Sequence, residues 1–490
     1  MSSRELTVDA VVIGGGPAGS SAAHLLALWG HSVTLLWRPA PRPAVAESLP
    51  PSSFKLLDRI GVREVIEGAA FPRSTGNSVK WDDGETPRVE LFPDKSCGLQ
   101  VRRDLLDRLL LREAARAGAT IRRAGVRDVI PEEGGDMSRV GFGTAGGSSI
   151  VRARWVLDCS GRARLSSRHD RPAPNATPRT LALICTWERT AWPITDASHT
   201  LVESYDEGWA WSVPLSRRRR QIAVMLDPPR GRSRESLGQR YHAELAKTNW
   251  LRDVSAGART VSGPWARDAS AYIARSIGEQ RLLRVGDAAS FVDPLSSYGI
   301  KKALASAWLA AVVTHTCLTS PALTEAALGH YSACERRMYV ALQRRFAEMS
   351  RAPAHAYGTE FWEHRAAFAS AAPSAELSRE PVVAALRELK ARPSHRFRLA
   401  APVRQVERPL VRGNRLVLEP HLAAPALDEE IRYVRNVDVV RLVALAPQYD
   451  EVPSLFEAYN RATPPASRVP LTDFLGVLST LVGARVLDLA

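Results

Sequence analysis

Cysteine is sparse and scattered. The five in 490 residues, Cys97, Cys159, Cys185, Cys317 and Cys334, are odd in number and form no C-x-x-C pair. That spacing argues against a disulfide framework and paired thiolate ligands, so no metal is expected and the chain reads as reduced and cytoplasmic. Long apolar runs are lacking too. The most membrane-like stretch, 303–318, is about sixteen residues and carries His315, short of the roughly 20 needed to span a bilayer, so no membrane partner is expected and it reads as a buried helix. The polar start leads straight into a strand-like run with no cleavage-type secretory segment. Neither zinc-type Cys/His spacing nor an aromatic ribonucleoprotein-type strand is present, which sets nucleic acid aside.

Apolar residues, at 45%, suffice for a large core, and the length suggests two or three domains at about 150 residues each. Lys plus Arg number 66 against 52 Asp plus Glu, a net charge of +14, gathered in short clusters such as Arg217, Arg218, Arg219 and Arg220. Most of this is solvated surface. The excess also draws an anionic cofactor or an acidic protein partner through a long-range field.

The first forty residues form the clearest unit. A β-rich run at 8–13 is followed by Gly14-Gly15-Gly16-Pro17-Ala18-Gly19, a helix expected over 20–29 and a second strand over 32–36. In this βαβ pattern Gly14, Gly16 and Gly19 let the backbone turn sharply, approach a pyrophosphate and pack the helix on the sheet. The helix N-terminus then faces the phosphates. An acidic residue usually ends the second strand and accepts ribose hydroxyls, whereas this chain reads Leu36-Trp37-Arg38. Either Arg38 and backbone groups hold an adenosine, or Trp37 lies along it.

Three later segments narrow the ligand. Residues 100–110 place Arg103, Asp107 and Leu110 at the start of an amphipathic helix, suited to setting a guanidinium beside phosphates. Residues 155–168 give a strand and Asp158-Cys159-Ser160-Gly161-Arg162. Residues 282–299 give a strand, Gly286-Asp287-Ala288-Ala289, Asp293-Pro294 and Ser296-Ser297-Tyr298-Gly299, then a helix from Ile300. Over about the first 345 residues this resembles the FAD-dependent aromatic hydroxylases and flavin-dependent halogenases, which share one fold.

The resemblance implies an FAD cofactor. Gly14, Gly16 and Gly19 would cradle its pyrophosphate with Arg103. Asp287, after Gly286, would accept from the ribityl hydroxyls. Pro294, Ser297, Gly299 and Ile300 would line the pyrimidine side of the ring, at a helix N-terminus that favours the anionic reduced form. Ser48, within Glu47-Ser48-Leu49-Pro50-Pro51, joins the cofactor set; that stretch is similar to one in flavoproteins that hydroxylate tryptophan within a protein during quinone cofactor formation. No second strand with G-x-G-x-x-G appears, so reducing equivalents would come from NAD(P)H docking transiently or from a partner flavin reductase.

Residues 180–189, 208–216 and 220–226 alternate like strands of an antiparallel sheet inserted over the flavin at about 178–270. Trp209 and Trp211, two apart, share a face. They resemble the W-x-W-x-I-P signature of flavin-dependent halogenases, with Val213 for Ile. Phe291, Pro294, Ser297 and Gly299 match F-x-x-P-x-x-S-x-G of phenol halogenases, and Thr359-Glu360-Phe361-Trp362 resembles that family's Phe-Trp segment. The two indoles are either core or a substrate-pocket wall keeping oxidant from water. Halogenases also require a lysine on an early strand. Lys80 is the candidate, catalytic in the halogenase reading alone, yet the family's position falls nearer Arg73 or Gly76. If Lys80 and Trp81 share a strand they point to opposite faces, and one of them can meet the flavin cavity.

The tail divides into a helical and irregular extension over 346–425, with a Pro/Arg-rich stretch at 391–425, and a small helical or winged-helix-like module over 426–490. Helices are expected at 438–446, 452–461 and 471–487. The module is a structural cap or a dock for an acidic peptide or protein. The expected fold is α/β, a Rossmann-like FAD domain carrying the inserted sheet. The expected activity is hydroxylation of an electron-rich aromatic ring through a flavin hydroperoxide, with a tryptophan in a peptide or protein as candidate substrate. Halogenation of an indole, phenol or pyrrole, and reduction of isoprenoid double bonds as in geranylgeranyl reductases, are the alternatives.

Overall fold

The computed structural model describes residues 6–39, 45–82, 84, 86–132, 136–144, 147–167, 177–229, 235–279, 281–368, 379–392, 394–427 and 429–489. The chain divides at 371/372 into two compact units.

In the first unit, strand Leu6–Ile13 lies between parallel neighbours Val33–Trp37 and Gly147–Asp158, with Ala10 opposite both Val33 and Trp155. A parallel strand covered on both faces has no polar side, so Ala10, Val11, Val12 and Ile13 are all buried. Thr120–Arg123, Leu282–Arg284 and Gly278–Glu279 extend the sheet, and an antiparallel arm, Gly125–Pro131 with Ser138–Thr144, is added along Gly147–Asp158. The helix after the glycine turn spans Pro17–Leu28. It starts three residues before the expected position, because proline's fixed φ and missing N–H suit the first helical residue. It packs on helix Gly299–Thr319, which contains the apolar stretch 303–318. No helix among the described residues is long and apolar enough to cross a membrane.

A seven-stranded sheet forms the second layer, in the order Arg259–Asp268, Leu181–Glu188, Arg219–Leu226, Gly208–Pro214, Thr200–Tyr205, Gly76–Lys80 and Arg88–Leu91. All neighbours are antiparallel except Thr200–Tyr205 with Gly76–Lys80. The last strand is a free edge, and its four residues are all exposed. Period-two alternation sends Leu183, Leu201, Ile222 and Val224 to one face, beneath helices Leu237–Lys247 and Trp250–Ser255. Ile184, Trp209, Trp211 and Met225 go to the other, against Phe346 of helix Thr324–Tyr357 and Phe361 and Trp362 of helix Glu360–Ala367. The fold is α/β, a largely parallel sheet joined to an antiparallel one, as expected.

The second unit has its own core. Helices Val439–Leu445, Val452–Arg461 and Leu471–Gly483 bury Leu442, Leu455, Phe474 and Leu478 together. The last helix stops at Gly483 rather than 487, and Leu487–Leu489 pairs as a strand with Phe397–Leu399. The stretch 391–425, expected to be irregular, is a correction: Arg404–Arg412 and Arg415–Ala423 form a hairpin closed by Arg412 opposite Arg415, where Gly413 takes the left-handed φ of +62° that the turn demands. Leu389, Phe397 and Leu422 contribute to the same core as the terminal helices, so that core reaches back beyond 426.

Candidate functional site

The glycine turn is set by close approach. Gly14 has φ +113°, and a Cβ there would lie 2.3 Å from the Cys159 carbonyl oxygen; at Gly19 it would lie 1.9 Å from the Gly14 carbonyl oxygen. Gly16 differs, since a side chain on it would come within 3.8 Å of Arg103 Nη2. Helix Pro17–Leu28 starts there without a side-chain cap or an acid in its first turn. Its leading N–H groups and the effective positive end of its dipole thus suit an anion.

Arg103 opens helix Arg103–Arg116 and is gripped by Glu47 at 2.6 Å and Asp107 at 3.1 Å. Burial works against its charge, but the two carboxylates hold its pKa above the ordinary arginine value. Burial likewise lifts the Asp107 carboxyl, although Arg103 pulls it down. The second oxygen of Glu47 lies 3.2 Å from where a Cβ on Gly299 would stand. Glu47 therefore links Arg103, beside the first glycine turn, to the start of helix Gly299–Thr319. Sequence reasoning did not assign Glu47 a role, because a contact made 56 residues away leaves no local pattern.

Ser48, next on strand Ala46–Leu49, is not brought into this group. Opposite Gln100 in register, it faces the other side of the strand. Arg38 is also apart, exposed beside Gly125. Trp37 takes the place at the turn: a Cβ on Gly15 would lie 3.0 Å from Trp37 Cβ.

The second loop is wedged between two helices. Gly286 has φ +64°, and a Cβ there would meet Ala18 at 3.0 Å and Ala303 at 3.7 Å. The loop thereby displays Asp287 beside the first turn of helix Pro17–Leu28. The Asp287 carbonyl accepts from the Tyr272 hydroxyl at 2.5 Å, and its carboxylate lies 4.0 Å from the buried Lys302 ammonium. Further on, Asp293 accepts from the Leu295 N–H, and burial pushes its carboxyl up to about 6. Turn Pro294–Ser296 ends in Ser297 at φ +52°, and helix Gly299–Thr319 follows, again uncapped by a side chain and without an acid in its first turn.

Trp209 and Trp211 share a face and are buried with Trp362, Phe361 and Phe346. The same cluster takes in Ala46 from the strand of Glu47 and Leu295 from the turn before Ser297, so the aromatic wall meets the cofactor elements directly. Trp362 donates to the Tyr205 carbonyl at 2.7 Å and Trp81 to the Met349 carbonyl at 2.8 Å, while the Trp209 indole N–H finds no partner among the described residues.

Lys80 stands elsewhere. Its register partner is Glu203, whose carboxylate accepts the N–H groups of Asn249, Trp250 and Leu251 at 2.8, 2.9 and 2.7 Å on the far side of the sheet. Paired residues share a face, and Trp81 and Val202 belong to the aromatic wall. Lys80 therefore projects away from that wall, which corrects its assignment as a catalytic candidate. Neither neighbouring position replaces it. Arg73 is exposed beside Glu67, and a side chain on Gly76 would collide with the Glu90 carbonyl at 2.2 Å.

Two uncapped helix N-termini, linked through Arg103 and Glu47 and flanked by Asp287, suit a ligand that is anionic along part of its length and hydroxylated elsewhere; fold and site together define a flavoprotein of the FAD-binding type. The chain belongs to the FAD binding domain family, which matches residues 7–326, in its flavin-dependent halogenase-like branch, and FAD is its cofactor. It is 29% identical over 350 residues to a tryptophan 2-halogenase of Chondromyces crocatus, covering 66% of this chain and 64% of that protein. To a flavin-dependent halogenase of Armillaria mellea it is 30% identical over 356 residues, covering 64% and 67%. The chain thus matches about two thirds of the length of these relatives. Among solved structures, the flavin-dependent halogenase CmlS is similar with a TM-score of 0.77 at 22% identity, covering 99% of this chain and 96% of that one. The peptidyl tryptophan dihydroxylase QhpG is similar with a TM-score of 0.69 at 22% identity, covering 96% and 98%.

Proposed function

We propose that this protein is an FAD-dependent monooxygenase that hydroxylates an electron-rich aromatic ring, with a tryptophan side chain in a peptide or protein as the first substrate to test. The observation that carries the reading is the orientation of Lys80. The lysine needed to pass a halogen to the substrate would have to face the aromatic wall, and Lys80 faces away from it.

When bound, FAD supplies the activated oxygen. The chain's own residues position and shield. Gly14, Gly16, Gly19 and Arg103 hold the pyrophosphate, Asp287 takes the ribityl hydroxyls, and the N–H groups at Ser297, Gly299 and Ile300 favour negative charge on the reduced ring. Trp209, Trp211, Phe361 and Trp362 are buried against one another and exclude water beside the cofactor elements, which strengthens every dipole aimed at charge developing there. Electrons come from NAD(P)H or a partner flavin reductase. The name of the QhpG neighbour supports a peptidyl tryptophan as the substrate.

Halogenation is the second reading, favoured by the names of the sequence relatives and by the Trp209-Ala210-Trp211-Ser212-Val213-Pro214 pattern. Reduced protein mixed with oxygen, bromide and indole-containing peptides decides between them. Mass spectrometry should find added oxygen, and bromine in the product would replace the hydroxylase reading with the halogenase one.

A further inference from the structure

We propose that Lys302 is a positioning residue that sets the flavin's reduction potential, an inference that rests on FAD occupying the site above. Lys302 lies in the first turn of helix Gly299–Thr319 and is 1% exposed. Its ammonium donates to the carbonyl oxygens of Gly286 at 2.9 Å and Ser290 at 2.6 Å, which bracket the loop that displays Asp287. A lysine withdrawn from water is held at a cost unless something opposes its charge. Carbonyl dipoles hold it without neutralising it. Two carboxylates come near: Asp287 at 4.0 Å, beyond hydrogen-bonding range and partly in solvent, and Glu335 of helix Thr324–Tyr357, which is 1% exposed and has one oxygen without a partner among the described residues. Burial lifts the Glu335 carboxyl above its ordinary range, with Lys302 and a hydrogen bond with Ser306 opposing.

The same loop is tied down from beneath by a second network, in which Gly286 N–H donates to Ser306 Oγ and Ser306 contacts the Tyr331 hydroxyl, itself donating to the Arg284 carbonyl. The loop has ties enough without a cation. What Lys302 adds is a fixed positive charge under the cofactor loop, and a fixed charge in a poorly solvated site acts more strongly than one in water. Reduction puts negative charge on the flavin, so this field favours the reduced form.

Lys302→Gln keeps a donor for the two carbonyls and removes the charge. With FAD-loaded protein, dye-coupled reduction should show the reduced-to-oxidised ratio falling about tenfold at a given potential, a midpoint about 30 mV more negative for a two-electron couple, while the FAD dissociation constant stays within about threefold of wild type. Lys302→Arg should restore the wild-type midpoint. A wild-type midpoint in Lys302→Gln, or a Lys302→Arg midpoint that stays at the Lys302→Gln value, overturns the proposal. Wild-type protein that takes up no FAD defeats the parent reading instead.

Discussion

Asp293 puts a carboxyl where water does not reach. Burial raises its folded pKa to about 6, against the backbone N–H of Leu295 and the charge of Arg365, which lower it. The native state therefore holds a proton that the unfolded chain gives up near pH 4, and the associated stability is present below that value and lost as pH rises through 6. Asp293→Asn should abolish this slope. The wild type should lose on the order of 3 kcal/mol relative to the variant between pH 4 and pH 7, read from denaturant midpoints across pH. A second residue-scale outcome concerns Gly19. Its Cβ would lie 1.9 Å from the Gly14 carbonyl oxygen, so Gly19→Ala should cost about 1–3 kcal/mol through overpacking and empty the protein of flavin; urea unfolding and the flavin-to-protein absorbance ratio check both.

Among the elements, short helix Trp250–Ser255 depends on a strand for its start. Glu203, 1% exposed, accepts three successive backbone N–H groups there. Glu203→Gln removes the charge that favours a helix N-terminus and should cost about 1–3 kcal/mol, with faster hydrogen exchange at Asn249, Trp250 and Leu251. The contrast between elements also explains what the sequence could disclose. Pro17–Leu28 and the three terminal helices were legible because their signals are local, a glycine turn or an apolar stripe. The hairpin Arg404–Ala423 was not, since Arg404–Arg412 is mostly exposed and lacks the alternation that marks a half-buried strand. Thr200–Tyr205, buried along nearly its whole length, lost the same signal for the opposite reason. The glycines, Arg103 and Asp287 could be found from spacing, whereas Glu47 became visible through a partner 56 residues away and Lys302 through two backbone carbonyls, which leave no mark in a sequence. Lys80 shows the limit from another side: its strand could be read, but which face met the wall depended on pairing with Thr200–Tyr205.

At the scale of the molecule, the core of the second unit draws on Leu389, Phe397 and Leu422 as well as on the terminal helices. A chain ending at 371 should stay folded and yellow, while one ending at 427 keeps Leu389, Phe397 and Leu422 without the terminal helices that cover them and should aggregate; light scattering and flavin absorbance distinguish the two. The tail's charge argues little for an acidic partner, because residues 372–490 hold 16 Lys and Arg against 14 Asp and Glu. Most of the excess positive charge resides in the first unit.

One more consequence follows from the last strand of the seven-stranded sheet. Arg88–Leu91 leaves a row of backbone donors and acceptors open, with Val89 53% and Leu91 69% exposed. Arg88 and Glu90 alternate with those side chains and pair with each other at 2.5 Å, so that charged groups cover part of the edge. At high salt, where such charges are screened, copies of the protein should begin to zip rim to rim. Turbidity should then climb with ionic strength rather than fall, unlike that of a protein kept apart from its neighbours by shape alone.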